Sequence, residues 1–466
     1  MASSTQSSST PAKGLLRQIG LLSATALVFS NMIGTGIFTT TGFLAGDLGD
    51  PWLVIAIWGV GALIALAGAL CYSELGINFP SSGGEYVYLT EAYGPTWGFM
   101  DGWVSFFAGF SAPVALAALA FSEYLSYVFP ILKSTNTMSV GPLELGPAQL
   151  AASALIAVFT VVNFFGIQFV SSVQNVLSAL KLAVLAGFLV LGFTAGKGDW
   201  SNFSQQAVRT STAPIWEQFA TSLIFIFVAY SGWNAATYVA EELREPEKTL
   251  PRALTLGTVF VAILYGLLNL LYIYATPLEQ MKGVLRVGSQ ASERLFGVDG
   301  ASLFSVLMAA GLLASVNALV TIGPRVYYAM AKNRAFFPAA AHVHEKWRTP
   351  VASIAMQGVC AVFMCLTPFR DLMFYVGFLL NAFAALAVAS LFVLRKRPGW
   401  RTLPVVSFAW PLLPVFFLVC GAWVAVSGLL LRPSVSMTAL ATVALGAVVY
   451  KVFLAPKPGV PAESKA

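Results

Sequence analysis

Charge is what this sequence has least of. Asp, Glu, Lys and Arg make up 10% of its 466 residues, where a soluble domain carries about 25%. Too little polar surface is left to keep such a chain in water. Histidine is scarcer still: His342 and His344 are the only two. Their "HVH" finds no further ligands, so no metal site and no cofactor is expected. The absence of clustered His, Asp or Glu at membrane depth argues against an intramembrane enzyme, and no catalytic residue is assigned. The four cysteines (Cys71, Cys360, Cys365 and Cys420) all fall in apolar segments. They read as small buried residues, not as a disulfide framework. Missing too is a short apolar core followed by a small-residue cleavage site. Residues 1–17, polar and rich in Ser and Thr, therefore read as a disordered tail and not as a signal peptide.

What is present is hydrocarbon. Apolar residues are 58% of the chain, and mean hydropathy is +0.78. The runs are continuous, not the alternating segments of about ten residues that a membrane β-barrel needs. Segments long enough to cross a bilayer, about 20 residues each, fall near 18–46, 52–75, 97–129, 148–166, 170–194, 216–240, 252–275, 301–330, 351–369, 372–394, 404–431 and 434–453. This predicts an all-α polytopic membrane protein with twelve crossings and both termini on one side. Seventeen of the 26 Lys and Arg fall on the terminal side and eight on the other, with Lys181 inside a crossing. By the positive-inside rule both termini, including the tail at 454–466, are cytoplasmic. The net charge of +6 thus reports topology in the cell membrane and calls for no nucleic-acid partner.

Two crossings are interrupted. The first carries "IGTGIF" (33–38) and the sixth "VAYSGWNAAT" (228–237). Small residues in membrane helices commonly serve as packing notches. Yet five crossings separate these two, so in a chain of two five-helix halves they would occupy matching positions. Paired interruptions of that kind point to a substrate site near the bilayer midplane. Breaking a helix frees amides and carbonyls that lipid cannot satisfy but a zwitterion can. The amides at the start of the outgoing half favour a carboxylate, and the carbonyls ending the incoming half favour an ammonium. An α-amino acid carries both groups. Gly34 and Gly36 would let the backbone bend and the ligand come close.

Lys181, deep in the fifth crossing, is the third irregularity. An intramembrane lysine is costly and marks a functional position. It could pair with backbone carbonyls, carry a proton, or stand where another carrier holds a cation. Acidic residues are missing from the same depth. Glu74, Glu85, Glu91, Glu241, Glu242, Glu245 and Glu247 fall at segment ends or in loops, which favours neutral substrates.

In order along the chain, "IGTGIF", "GALCYSELGINFPSSGGEYVYLTEAYGP" (68–95), "VNFFGIQFVSSVQNVLSALK" (162–181), "AYSGWNAATYVAEELREPEKTLPRAL" (229–254) and "ASVNALVTIGPRVYYAMAKNRAFFP" (314–338) resemble the amino acid–polyamine–organocation superfamily. Within it they resemble the L-amino-acid transporter-like branch. The resemblance covers roughly residues 15–400 and implies a leucine-transporter-like 5+5 inverted repeat: residues 18–199 and 216–395, with helices 11 and 12 appended over 404–453. It implies that Thr35, Gly36 and Ile37 offer amides to a substrate carboxylate. Met32, Ile33, Phe227, Val228 and Ala229 would offer carbonyls to its amino group, with Ser231 and Gly232 beside them. Lys181 matches a family lysine that replaces a sodium ion, its ammonium bridging the first break to the eighth crossing near Ser315. The family often has a bulky aromatic gate where this chain has Val228, which leaves Phe227, Tyr230 and Trp233 as gate candidates. Animal members attach a heavy chain through a cysteine between crossings 3 and 4. "PILKSTNTMSVGPLELG" has none, so a stand-alone, prokaryotic-type permease is expected, without a disulfide-linked heavy subunit.

The expected activity is sodium-independent exchange of neutral L-amino acids, an antiporter working by alternating access. Proton-coupled symport and cationic amino acid or polyamine transport are the alternatives. A nutrient sensor would usually carry a long cytoplasmic extension, and these tails are short. Trp52, Trp103, Trp216 and Trp410 suit interfacial anchors. "EELREPEKTLPRA" is a charged loop at the cytoplasmic mouth, whose acids Arg325 and Lys332 could partner.

Overall fold

Asp50 and Pro51 show how sharply the helices are bounded. The Asp50 carboxylate accepts hydrogen bonds from the amides of Trp52 and Leu53 at 2.8 and 3.1 Å, and Pro51 needs no donor at the first helical position. A 28-residue helix follows. The structure, a computed structural model, describes residues 17–80, 83–165, 167–332 and 335–454. Both polar tails, apart from Arg17 and Leu454, lie outside the described residues, as do Ser81 and Ser82 of "PSSGGEY".

The main helices are α1 (Leu21–Met32), α2 (Thr35–Leu48), α3 (Pro51–Asn78), α4 (Glu85–Tyr93), α5 (Pro95–Leu125), α6 (Pro147–Phe164), α7 (Ile167–Thr194), α8 (Ile215–Tyr230), α9 (Pro246–Ala275), α10 (Val287–Lys332), α11 (Val351–Met364), α12 (Phe369–Leu394), α13 (Leu412–Leu431) and α14 (Pro433–Val449). Among the described residues, ten helices are long and apolar enough to cross a membrane, eleven when the bent pair α1–α2 counts as one crossing. The expected ninth crossing at 351–369 is helical only over the fourteen residues of α11. Pro368 disfavours helical angles at Thr367, and the chain tightens into i→i+3 turns from Leu366 onward. The loop after α5 holds a two-stranded hairpin, Met138–Val140 against Leu143–Leu145, a small departure from an all-α chain.

Three irregular places shape the interior. α1 and α2 meet at a 43° bend. α8 stops at Tyr230 and resumes as a 3₁₀ turn over Ala235–Glu242. In α5, Ser105–Ser111 winds as a π-segment, because Pro113 has no N–H to return to the Gly109 carbonyl and loosens the turn before it. α9 packs along α1 and α3, α10 along α5 and α7, and α12 beside α8. The first break therefore sits in the centre of the bundle.

The two ends of the bundle are tied differently. At the end carrying the termini, Ile19 pairs with Leu243. There Arg395 grips the fully buried Glu74 through two bonds of 2.6 and 2.7 Å, and Arg397–Glu91 and Arg401–Glu247 lie near it. At the other end, Asp47 of α2 accepts both its charged bonds from Arg370 of α12, at 2.5 and 2.6 Å. Glu245 pairs with Lys248 and Glu247 with Arg401, while Arg325 donates to the Thr321 carbonyl. Among the described residues no ion pair joins Arg325 to the loop acids. Trp52 and Trp216 are exposed as interfacial anchors would be, but Trp103 is buried and donates to the Thr442 carbonyl at 2.9 Å. Its indole holds α5 to α14.

Candidate functional site

The two breaks touch. Ile33 closes α1 with a bond back to Phe29, Gly34 is extended, and α2 begins at Thr35. No backbone hydrogen bond outside the helices uses the amides of Gly34, Thr35, Gly36 or Ile37, which stand at the positive end of α2. Opposite them, Gly232 turns the chain at φ +97°, a left-handed angle that glycine adopts without strain. A side chain at Gly232 would come within 2.9 Å of the Asn31 backbone, and one at Gly36 within 2.3 Å of the Ala229 Cα. The expectation that Gly36 makes room for a ligand is therefore corrected: its missing side chain makes room for α8. Gly34 has open space on that side, with only the Met32 carbonyl 3.9 Å away.

Between the breaks lies a cavity of about 270 Å³, near the lower end of small-molecule pockets at roughly 300 Å³. Met32, Ile33, Thr35, Gly36, Phe227, Val228, Ser231 and Gly232 reach it, as do Lys181, Ser315 and Trp233. Ile37, Ala229 and Tyr230 do not. Ile37 is fully buried in the core. Tyr230 donates to the Trp58 carbonyl at 3.1 Å and packs against Trp58 and Tyr265, bracing α3 and α9. Trp233 meets Tyr72 edge-on at 4.7 Å while lining the cavity. The exposed lining residues Asn31 and Tyr238 lie toward the end with the termini. Toward the other end the wall is buried, at Leu116 and Ala117.

Lys181 is nine-tenths buried and more, at 4% exposure. Its Nζ donates to the Ile33 carbonyl at 2.5 Å. The aliphatic stem passes Gly311 of α10, where a side chain would be only 3.3 Å from it. Ser315, one turn further along α10, shares the cavity, but no hydrogen bond joins it to Lys181 among the described residues.

Four of the five carbonyls expected to wait for an ammonium, those of Met32, Ile33, Val228 and Ala229, already have donors. Tyr265 of α9 places its hydroxyl 2.7 Å from the Met32 carbonyl and 3.0 Å from that of Ala229, clipping the two breaks together. Ser231 donates both its amide and its hydroxyl to the Val228 carbonyl. The carbonyls of Met32, Ile33 and Ala229 each keep a second lone pair, whereas that of Val228 already has two donors. Sequence reasoning missed Tyr265, whose only signal was a hydroxyl in the apolar run "AILYGLLNL".

It also missed two acids. Glu85 and Asp101 both line the cavity, which overturns the expectation that no carboxylate approaches the breaks. Chain fold-back explains this: α4 lies beside the end of the bundle, and the face of α5 bearing Asp101, Ser105 and Gly109 at helical spacing continues into the cavity. Glu85 accepts from Tyr72 at 2.7 Å, Asn234 at 2.9 Å and Tyr238 at 2.8 Å. Burial pushes its carboxyl above the usual range, with those three bonds opposing the shift. Among the described residues no cluster of His, Cys, Asp and Glu fit for a metal ion occurs; His344 stacks on Trp347 instead.

The chain matches the family described as Amino acid permease over residues 19–450. It is 30% identical over 442 residues to the Large neutral amino acids transporter small subunit 2 of Mus musculus, covering 94% of this chain and 81% of that one. It is 29% identical over 430 residues to the Serine/threonine exchanger SteT of Bacillus subtilis (strain 168), covering 91% and 93%. The Asc-type amino acid transporter 1 of Mus musculus is 27% identical over 444 residues, covering 94% and 81%.

Proposed function

Because this chain belongs to the amino acid permease family, within the amino acid–polyamine–organocation superfamily, we propose that it exchanges neutral L-amino acids across a membrane by alternating access. The observation that carries this is the cavity bounded by both helix breaks, with the amides of Thr35 and Gly36, which no backbone carbonyl takes among the described residues, on its wall. A substrate carboxylate sits on those amides, where the helix dipole and two N–H groups favour negative charge. Its ammonium faces the carbonyl of Phe227 across the cavity. Away from the end that carries Glu85 and Asp101, Phe110, Pro113, Leu116, Val376, Leu380 and Phe383 make an apolar stretch of wall, and this suits an uncharged side chain.

Lys181 supports sodium-independent transport. Its ammonium lies against the Ile33 carbonyl, and a fixed positive charge there repels a second cation. The substrates named for the relatives, large neutral amino acids and serine or threonine, agree with a neutral cargo, and the latter relative is named an exchanger. We further propose that α11 completes a twelfth crossing, that residues 18–199 and 216–395 are inverted halves, and that both termini are cytoplasmic in the cell membrane. The relative named a small subunit belongs to a larger assembly. This chain, of prokaryotic type in our reading, works without such a disulfide-linked partner.

Uptake of a panel of labelled amino acids into proteoliposomes tests this, with and without internal amino acid and sodium. Strict dependence on internal amino acid, unchanged by replacing sodium with choline, is expected. A sodium requirement overturns the reading of Lys181, and uptake into empty vesicles overturns exchange.

A further inference from the structure

Asp101 is an acid in the interior of the bundle with nothing holding it. It is only 9% exposed and lines the cavity, yet it has no hydrogen-bond or ion-pair partner among the described residues. A second carboxylate, Glu85, lines the same cavity. Glu85 is the opposite case, with three neutral donors on its two oxygens. Two carboxylates facing one cavity do not both stay ionised unless a positive charge joins them.

Among the described residues no ion pair supplies such a charge from the elements packed around. Tyr72 comes from α3 and Tyr238 and Asn234 from beyond α8, all neutral. Lys181 of α7 shares the cavity, but its ammonium donates its hydrogen bond to the Ile33 carbonyl. Arg325 of α10 donates to the Thr321 carbonyl. From α12 the cavity receives only apolar side chains, and Arg395 and Arg397 beyond it are bound to Glu74 and Glu91. Tyr88 of α4 and Tyr450 near α14 add only phenols.

We propose that Glu85 and Asp101 form a proton site, two carboxylates on one cavity that carry a single proton, at the end of the cavity nearest the termini. The proton comes from the aqueous phase reached past Asn31 and Tyr238, and it returns there when the pair opens to water again. Glu85 keeps the ionised form through its three donors, while Asp101, with none, holds the proton. The site governs closure. An alternating-access carrier must seal this end, and sealing it over two bare carboxylates buries two like charges. With the proton aboard, the pair carries one charge already solvated by Tyr72, Asn234 and Tyr238. Loss of that proton as pH rises therefore slows the step that closes the cavity. This rests on the transport reading given above and adds to it which group sets its pH dependence.

Two measurements test it. The first needs no transport: infrared spectroscopy of the purified full-length protein at neutral pH. A protonated-carboxyl band is expected in the wild type, and it disappears in both Asp101→Asn and Glu85→Gln, since removing either acid removes the repulsion that keeps the other protonated. A wild type without the band, or a band surviving in both variants, overturns the proposal even if amino acids are transported. The second is amino acid exchange in proteoliposomes between about pH 5 and 9. Wild-type exchange is expected to fall toward tenfold per pH unit above the titration of the pair. Asp101→Asn should flatten this to under twofold. A flat wild-type profile overturns the proposal. So does an Asp101→Asn variant that loses only lysine or arginine exchange while keeping the wild-type slope, which would assign the pair to a cationic side chain. A chain that exchanges no amino acid defeats the transport reading instead, and the infrared result stands apart from it.

Discussion

Gly34 and Gly36 stand two residues apart in one break and face different surroundings. Replacing Gly36 with Ala drives a methyl into the Ala229 backbone, an overpacking expected to cost about 1–3 kcal/mol. Thermal unfolding of the detergent-solubilised Gly36→Ala variant should show a lowered Tm, whereas Gly34→Ala, with open space at that position, should keep the wild-type Tm and raise KM for the substrate. Equal Tm values for the two variants would contradict the packing assigned to Gly36. Lys181 acts through a single bond. Lys181→Met leaves the Ile33 carbonyl without that donor, at a cost of roughly 1–3 kcal/mol, and exchange should drop at least tenfold while the protein stays monodisperse on size exclusion. Wild-type exchange in that variant would remove the lysine from the mechanism.

At the scale of elements, the broken helix α1–α2 is clamped at the end away from the termini. Asp47 is 2% exposed and is gripped by Arg370, whose guanidinium also lies over the rings of Phe43 and Phe225. Ser222 of α8 donates to the same carboxylate at 3.2 Å. One carboxylate thus joins α2, α8 and α12. Arg370→Gln leaves a buried charge unpaired, a loss of about 3 kcal/mol, and should lower Tm. Adding Asp47→Asn should recover most of that loss, because the stranded charge is gone. If the double variant is no more stable than Arg370→Gln alone, the clamp does not work through that pair. The two breaks were legible in the sequence from Gly34, Gly36 and the polar run "YSGWN", because disorder of composition inside an apolar segment marks a place where a helix fails. The clip between them was not. Tyr265 lies some thirty residues beyond the second break, and only helix packing brings its hydroxyl to both carbonyls.

For the whole molecule, the uneven spread of Lys and Arg predicts both ends of the chain on the cytoplasmic side. A fluorescent protein fused after Ala466 should fluoresce in cells, and alkaline phosphatase fused there should be inactive; the reverse pattern would invert the topology. The membrane class, the positions of most helices, the breaks and Lys181 were all determined by the sequence itself. The reason is that hydrocarbon thickness fixes segment length, and each exception to apolarity is costly enough to stand out. What only the tertiary structure decided is which side chains share the cavity. Ile37, Ala229 and Tyr230 belong to the breaks but turn away from it. Glu85 and Asp101 lie in segments that read as a loop and a segment end, yet they line it. Facing is set by the rotation of each helix against its neighbours and by fold-back of α4, and neither is encoded in spacing along a single segment.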